Sequence, residues 1–306
     1  MEMDLDVSRI AQAAKTIDPV FLNTPQYVDE QLSARLGREV LVKVETANPL
    51  RSFKGRGADF LMAGITPGTR TVCVSSGNFG QAMAYTGRAH GVPVEVFVRS
   101  DINPAKRARM AAFGAEVIEV GDDPLSAAHE HVDRHADRVF IADGKEAAVA
   151  EGAGTIGLEL LESGPFDTVV VQVGDGALIN GVGLWVKEHA PGTRVVGVCA
   201  AGAPSLAESW RAGHVVRRGQ NTVAEGINID NPVPESVERM RHLVDDFVLV
   251  DDEAILAAAR LARDTLGLLV EPAGAAGLAA ITTHDLPGHR LAAILTGSNL
   301  RPGILD

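Results

Sequence analysis

Thr168-Val-Val-Val-Gln-Val-Gly-Asp-Gly-Ala-Leu-Ile-Asn-Gly181 is the stretch on which the architecture turns. Its first six residues are apolar almost without interruption, as in a strand covered on both faces rather than one half exposed to water. A glycine-rich turn follows at once, and then a helical run over Leu178–His189. Small residues there let backbone N–H groups approach an anion, and the following helix aims its positive end at the same point. An ordinary tight strand-to-helix turn has the same look, so the segment alone leaves a phosphate cradle and a plain turn both open. A dinucleotide site does worse: Gly174 and Gly176 begin G-x-G-x-x-G, but Ile179 occupies the third glycine position. The next strand ends in Cys199-Ala-Ala, with no acidic ribose ligand.

The same alternation continues outward. Strands are expected at Glu39–Glu45, Arg70–Val74, Pro93–Val98, Glu116–Val120, Arg194–Cys199, Asp246–Val250 and Leu291–Leu295, with helices such as Asn78–His90, Asn103–Phe113 and Asp252–Thr265 between them. That order predicts an α/β protein of parallel sheets wound with helices. At 306 residues, 46% of them hydrophobic, the chain is long enough for two cored domains, and no long linker, repeat or heptad separates them. Two domains would therefore interleave. Ligands of open α/β sheets bind at the carboxyl ends of strands, which directs attention to the glycine-rich turns.

Composition excludes several classes. The formal net charge of −12, with no basic runs, argues against nucleic acid and anionic membranes. No apolar run approaches a membrane span, and Met1-Glu-Met-Asp-Leu-Asp6 lacks the basic and apolar parts of a signal peptide. Cys73 and Cys199 lie in or at the end of apolar runs and read as reduced core residues. A cytoplasmic protein is expected.

Three more turns carry polar chemistry: Ser52-Phe-Lys-Gly-Arg-Gly57, Ser75-Ser-Gly-Asn-Phe-Gly-Gln81 and Thr296-Gly-Ser-Asn299. A lysine in an apolar, glycine-lined setting, as Lys54 would be, can lose its proton and attack a carbonyl. The turn Ser75–Gln81 offers hydroxyls, an amide and helix N–H groups to a carboxylate, although a helix N-cap by Ser76 or Asn78 explains it equally simply. Taken in order, a lysine, a carboxylate cradle, a phosphate cradle and a hydroxyl at a strand end are the parts of a pyridoxal-phosphate site.

At this point the chain resembles the fold-type II pyridoxal-phosphate enzymes, nearest the serine/threonine dehydratase (ammonia-lyase) and serine racemase branch. The resemblance runs from Asn23-Thr-Pro25 to Ser298-Asn299 through seven collinear landmarks: Lys43-Val-Glu45, Ser52–Ala58, Ser75–Asn78, Gly174–Gly181, Ala224-Glu-Gly226, Glu271-Pro-Ala-Gly-Ala275 and Thr296–Asn299. It implies two interleaved open parallel-sheet domains like the tryptophan synthase β-subunit. Residues 1–47 and 146–306 would form a large cofactor-binding domain and residues 48–145 a small inserted one. Lys54 would hold pyridoxal 5'-phosphate covalently and later move the substrate α-proton. Phe53 would pack on the ring, Asn78 would bond its phenolic oxygen, and Thr296 would face its nitrogen. Gly174, Gly176, Ala177 and Leu178 would hold the phosphate. Ser75, Ser76 and Gly77 would bind the substrate carboxylate, with Ser76 the candidate proton donor in a racemase. A hydroxyl opposite the ring nitrogen makes the cofactor a weaker electron sink than a carboxylate would, which favours prompt β-elimination. The implied reaction is conversion of L-threonine or L-serine to a 2-keto acid and ammonia. Racemisation and β-replacement, as in cysteine synthase or threonine synthase, are the alternatives; a cofactor-binding protein without catalysis is a remote one. A homodimer is also implied. Because no acidic side chain in these motifs is an obvious donor, the phosphate is the candidate acid for the departing hydroxyl.

The chain departs from that pattern at three places. Arg51 stands where relatives carry glycine, and would either pair with a structural carboxylate or select the substrate side chain. Asp175 replaces a glycine of the phosphate loop, so its carboxylate should point away from the ligand. Phe79 replaces a histidine and makes the pocket more apolar. Elsewhere, His129, His131 and His135 read as a solvated helix face rather than a zinc site. Ala224 and Glu225 match a segment that binds a divalent cation in some racemases, but a polar loop is as good a reading. Trp185 and Trp210 read as packing residues, and Pro204–Gln220 suggests no function. The chain ends at Asp306, so a separate regulatory domain and end-product inhibition are not expected.

Overall fold

The computed structural model describes residues 3–305. Its strands are β1 (Gln26–Val28), β2 (Glu39–Val44), β3 (Arg70–Val74), β4 (Val94–Arg99), β5 (Glu116–Val120), β6 (Arg138–Phe140), β7 (Thr168–Gln172), β8 (Arg194–Ala200), β9 (Asp246–Val250) and β10 (Arg290–Leu295). They form a six-stranded sheet in the order β1-β2-β10-β7-β8-β9 and a four-stranded sheet in the order β5-β4-β3-β6. Every neighbouring pair is parallel except β1 with β2. All four strands of the smaller sheet fall between β2 and β7 in the chain, so both ends of the sequence build the larger one.

The continuous apolar run of β7 is explained by its neighbours. Val170 enters a core with Ala258, Ala276 and Leu278 of the helices Asp252–Leu266 and Pro272–Thr283. Val169 and Val171 enter another with Ile179, Val182 and Met240, from the helices Ala177–His189 and Pro234–Leu243. Strand β10 divides the same way, Leu291, Ala293 and Leu295 against Ala292 and Ile294. Full burial of such side chains is worth about 1.5–3 kcal/mol each, so covering both faces is what makes this sheet stable.

The expected long strands and the helices from Asn78, Asp252 and Leu178 all form, with ends shifted by at most two residues. Sequence periodicity missed β1 and β6, which have three residues each, too few for a period of two to show. The histidines are not a plain solvated face: His131 Nε2 lies 2.8 Å from the buried carboxylate of Glu95, and the His129 ring stacks near Phe140. Cys73 and Cys199 are free and buried, and burial pushes both thiols up to about 12. Trp210 packs on Phe247, while Trp185 stacks on His189. No helix among the described residues is long and apolar enough to cross a membrane.

Candidate active site

A cavity of about 260 Å³ opens at the carboxyl ends of β7 and β10, lined by Lys54, the Ser75–Phe79 turn, Gly174–Leu178 and Thr296. The sheet register brings the last two together: Ala293 pairs with Val170, which sets Thr296 level with Val173, the residue before Gly174. Lys54 is brought there by backbone stitching. Phe53 N–H donates to the Thr296 carbonyl at 3.0 Å, Ser298 N–H donates to the Arg51 carbonyl at 2.9 Å, and Ser52 bridges Gly297. Lys54 then opens the helix Lys54–Ala63.

The turn after β7 has the form of an anion cradle. Gly176 adopts φ 92°, in the left-handed region, and a Cβ there would collide with the Ser236 hydroxyl. No side chain caps the helix Ala177–His189, so the N–H groups of its first turn are left for a ligand.

The surroundings of Lys54 hold two carboxyls. Lys54 Nζ forms an ion pair with Asp143 Oδ2, and lies 4.7 Å from the Phe53 ring centroid and 5.8 Å from that of Phe79. The other oxygen of Asp143 is buried without a hydrogen-bond partner. Asp175 also lines the cavity; burial and the charge of Asp143 push its carboxyl up to about 6, against the pull of Lys54. The backbone of Asp175 lies so close to Gly144 that a Cβ there would run into it, which sets Asp175 against the residue that follows Asp143.

Thr296 is buried, and its hydroxyl accepts a 2.7 Å hydrogen bond from Gln172 Nε2, which also lies against the carbonyls of Ile294 and Gly274. Asn78 Nδ2 donates to Glu271 at 2.7 Å, and Asn299 Nδ2 donates to Asn78 Oδ1 at 2.7 Å. Burial raises the Glu271 carboxyl above its ordinary value. Ser75 Oγ accepts from the N–H groups of Gly77 and Gly80, so the helix Asn78–His90 is capped by Ser75 and not by Ser76 or Asn78. Ser76 is exposed to the cavity. Arg51 is not in this cavity: it is exposed, has no carboxylate within ion-pair distance among the described residues, and holds φ 52° where the turn favours glycine. Both oxygens of Glu225 are taken, by Lys106 and Arg301, and the Ala224 side chain is buried.

Behind Lys54 lies a closed ionic network. Arg56 is fully buried and donates to Glu45 at 2.8 and 2.9 Å, to Glu159 at 2.6 and 2.9 Å and to Thr155 at 3.0 Å. Lys43 Nζ reaches the second oxygen of Glu159 at 2.5 Å. Two cations meet two carboxylates, joining β2, the lysine helix and the helix Ala147–Leu161.

A family model described as "Pyridoxal-phosphate dependent enzyme" matches residues 17–297. The chain belongs to that family. L-threonine ammonia-lyase of Thermotoga maritima is 31% identical over 305 residues, 97% of this chain and 76% of that protein. Among solved structures, maize serine racemase superposes with a TM-score of 0.92 at 28% identity, covering 98% of this chain and 95% of that one. Threonine deaminase isoform 2 from Solanum lycopersicum, in its processed form, gives 0.90 at 26% identity, covering 100% and 94%. The fold is that of fold-type II pyridoxal-phosphate enzymes, and the cofactor of this enzyme is pyridoxal phosphate. Sequence reasoning assigned no role to Asp143, Gln172, Glu271 or Lys106, which also line the cavity. Gln172 left a signal, as the one polar side chain inside the apolar β7 run. Asp143 left none, since it follows a strand too short to detect.

Proposed function

We propose that the protein is an ammonia-lyase that converts a β-hydroxy amino acid such as L-threonine or L-serine to a 2-keto acid and ammonia. The observation that carries this reading is the hydroxyl of Thr296, fixed by Gln172 at the end of β10. An oxygen that accepts from Gln172 keeps its own proton to donate, so it favours an unprotonated ring nitrogen in the cofactor. Such a site suits expulsion of a β-substituent better than a long-lived carbanion.

The residues present fit the cofactor. The uncapped helix N-terminus with Gly174, Gly176, Ala177 and Leu178 would hold its phosphate, Phe53 its ring face, and the second N–H of Asn78 its phenolic oxygen. When bound, pyridoxal phosphate supplies the electron sink that acidifies the substrate Cα–H. Lys54 would carry the cofactor and, once freed by the substrate amine, take the α-proton at Nζ. Ser75, Ser76 and Gly77 would orient the substrate carboxylate, and Phe79 would keep the pocket apolar. Residues 48–145 would close as a small domain against residues 1–47 and 146–306, excluding water. We read the enzyme as a homodimer, which its family resemblance implies, and as cytoplasmic from its composition.

A racemase is the second reading, favoured by the free Ser76 hydroxyl at the cavity wall. Turnover of L-serine in deuterium oxide separates the two. The elimination reading expects 2-keto acid to accumulate while recovered serine stays L and unlabelled at Cα. Deuterated D-serine as the main product would replace it with racemisation.

A further inference from the structure

Expulsion of a β-hydroxyl needs an acid, because hydroxide leaves poorly from a site that excludes water. Two carboxyls of the cavity wall lie near Lys54, one of them within the turn after β7 itself. Asp143 is 9% exposed, its Oδ2 pairs with Lys54, and its Oδ1 has no partner. Asp175 lines the same cavity, held beside Asp143 by the packing of its backbone on Gly144. One cation thus faces two carboxyls. When the Lys54 nitrogen is the uncharged amine that takes the α-proton, that cation is lost to the pair. Two neighbouring carboxyls left without it retain a proton, since both cannot ionise cheaply at short range.

We propose that Asp175, set beside Asp143 in the cavity wall, is the acid that protonates the departing β-hydroxyl. The inference rests on the ammonia-lyase reading and replaces the phosphate as donor. Lys54 Nζ takes the α-proton, the Cα–H electron pair becomes the Cα–Cβ π bond, and the Cβ–O pair leaves with oxygen. The Asp175 proton joins that oxygen to give water, and Asp175 becomes a carboxylate. Lys54 is then an ammonium facing Asp143, the ion pair seen in the structure. When its nitrogen is bonded again to the cofactor, it gives up its protons, and one returns to Asp175. The raised carboxyl of Asp175 agrees with this cycle.

The test uses the holoenzyme, its isosteric Asp175→Asn variant and two substrates. L-Serine needs a proton on its leaving group; β-chloro-L-alanine, which expels chloride, does not. With L-serine, kcat of the variant should fall by about 100-fold or more, the usual contribution of a general acid. With β-chloro-L-alanine the loss should be at least about tenfold smaller. The infrared spectrum of the holoenzyme should show the C=O stretch of a protonated carboxyl that Asp175→Asn lacks. Asp143→Asn, which removes the like charge but keeps the acid, should weaken that stretch at neutral pH and show the same rescue by chloride. Equal losses on both substrates, no loss on either, or a stretch that persists in Asp175→Asn would overturn the assignment. A wild-type enzyme that makes no 2-keto acid from either substrate overturns the ammonia-lyase reading instead; the infrared band still reports whether Asp175 holds a proton.

Discussion

Replacing Lys54 by alanine should abolish 2-keto acid formation from L-threonine and L-serine, by at least about 10³-fold, and remove the visible absorption of the lysine-bound cofactor. The magnitude follows from losing two functions at once, the covalent anchor and the base for the α-proton. The fold should survive, because Lys54 is at the cavity wall and its partner Asp143 also faces the cavity. Far-ultraviolet circular dichroism and the absorption spectrum of the same sample check this. Turnover at more than about a tenth of the wild-type rate would remove Lys54 from the chemistry.

The second large effect is on stability. Arg56→Met should lower the free energy of unfolding by about 3–5 kcal/mol, the usual cost of leaving buried carboxylates without their cation. Of the network's two cations only Lys43 would remain for Glu45 and Glu159, in a site where Arg56 now makes five contacts with oxygen on those two side chains and Thr155 and a sixth with Thr24. The pH dependence has a definite sign. Burial acts to raise Glu159, but Arg56 and Lys43 overcome it and hold the carboxyl below its ordinary value. A depressed carboxyl contributes stability above its unfolded pKa, near about 4.3, that is lost as pH falls through the folded value. In Arg56→Met burial prevails and Glu159 rises. The gap between variant and wild type should therefore be widest at neutral pH and narrow towards about pH 4. Denaturant unfolding at both values measures it; a gap that is constant or widens in acid would contradict the network's role.

These two residues show how far sequence carries. The lysine and its cavity were legible from several local turns taken in order, although the turn after β7 alone left a phosphate cradle and a plain turn both open. The charges at Lys43 and Glu45 interrupt an apolar strand, which marks them as unusual, but nothing local says that Arg56 and Glu159 meet them. That meeting depends on three elements packing together, one of them more than a hundred residues away. Asp143 and Asp175 are more hidden still. Their pairing arises where the loop after β6, in the smaller sheet, touches the turn after β7, in the larger one. Arg51 was read as pairing with a structural carboxylate or selecting the substrate side chain; in the structure it is exposed on a left-handed turn and is not among the cavity's lining residues.

The most direct measurement is the visible spectrum of the purified holoenzyme while L-threonine or L-serine is added, with 2-keto acid followed in the same cuvette. The cofactor band should shift with at least one of them, and 2-keto acid and ammonia should accumulate in equal amounts. A band that neither amino acid perturbs, with no 2-keto acid formed, would contradict the assignment of this enzyme as a lyase of β-hydroxy amino acids.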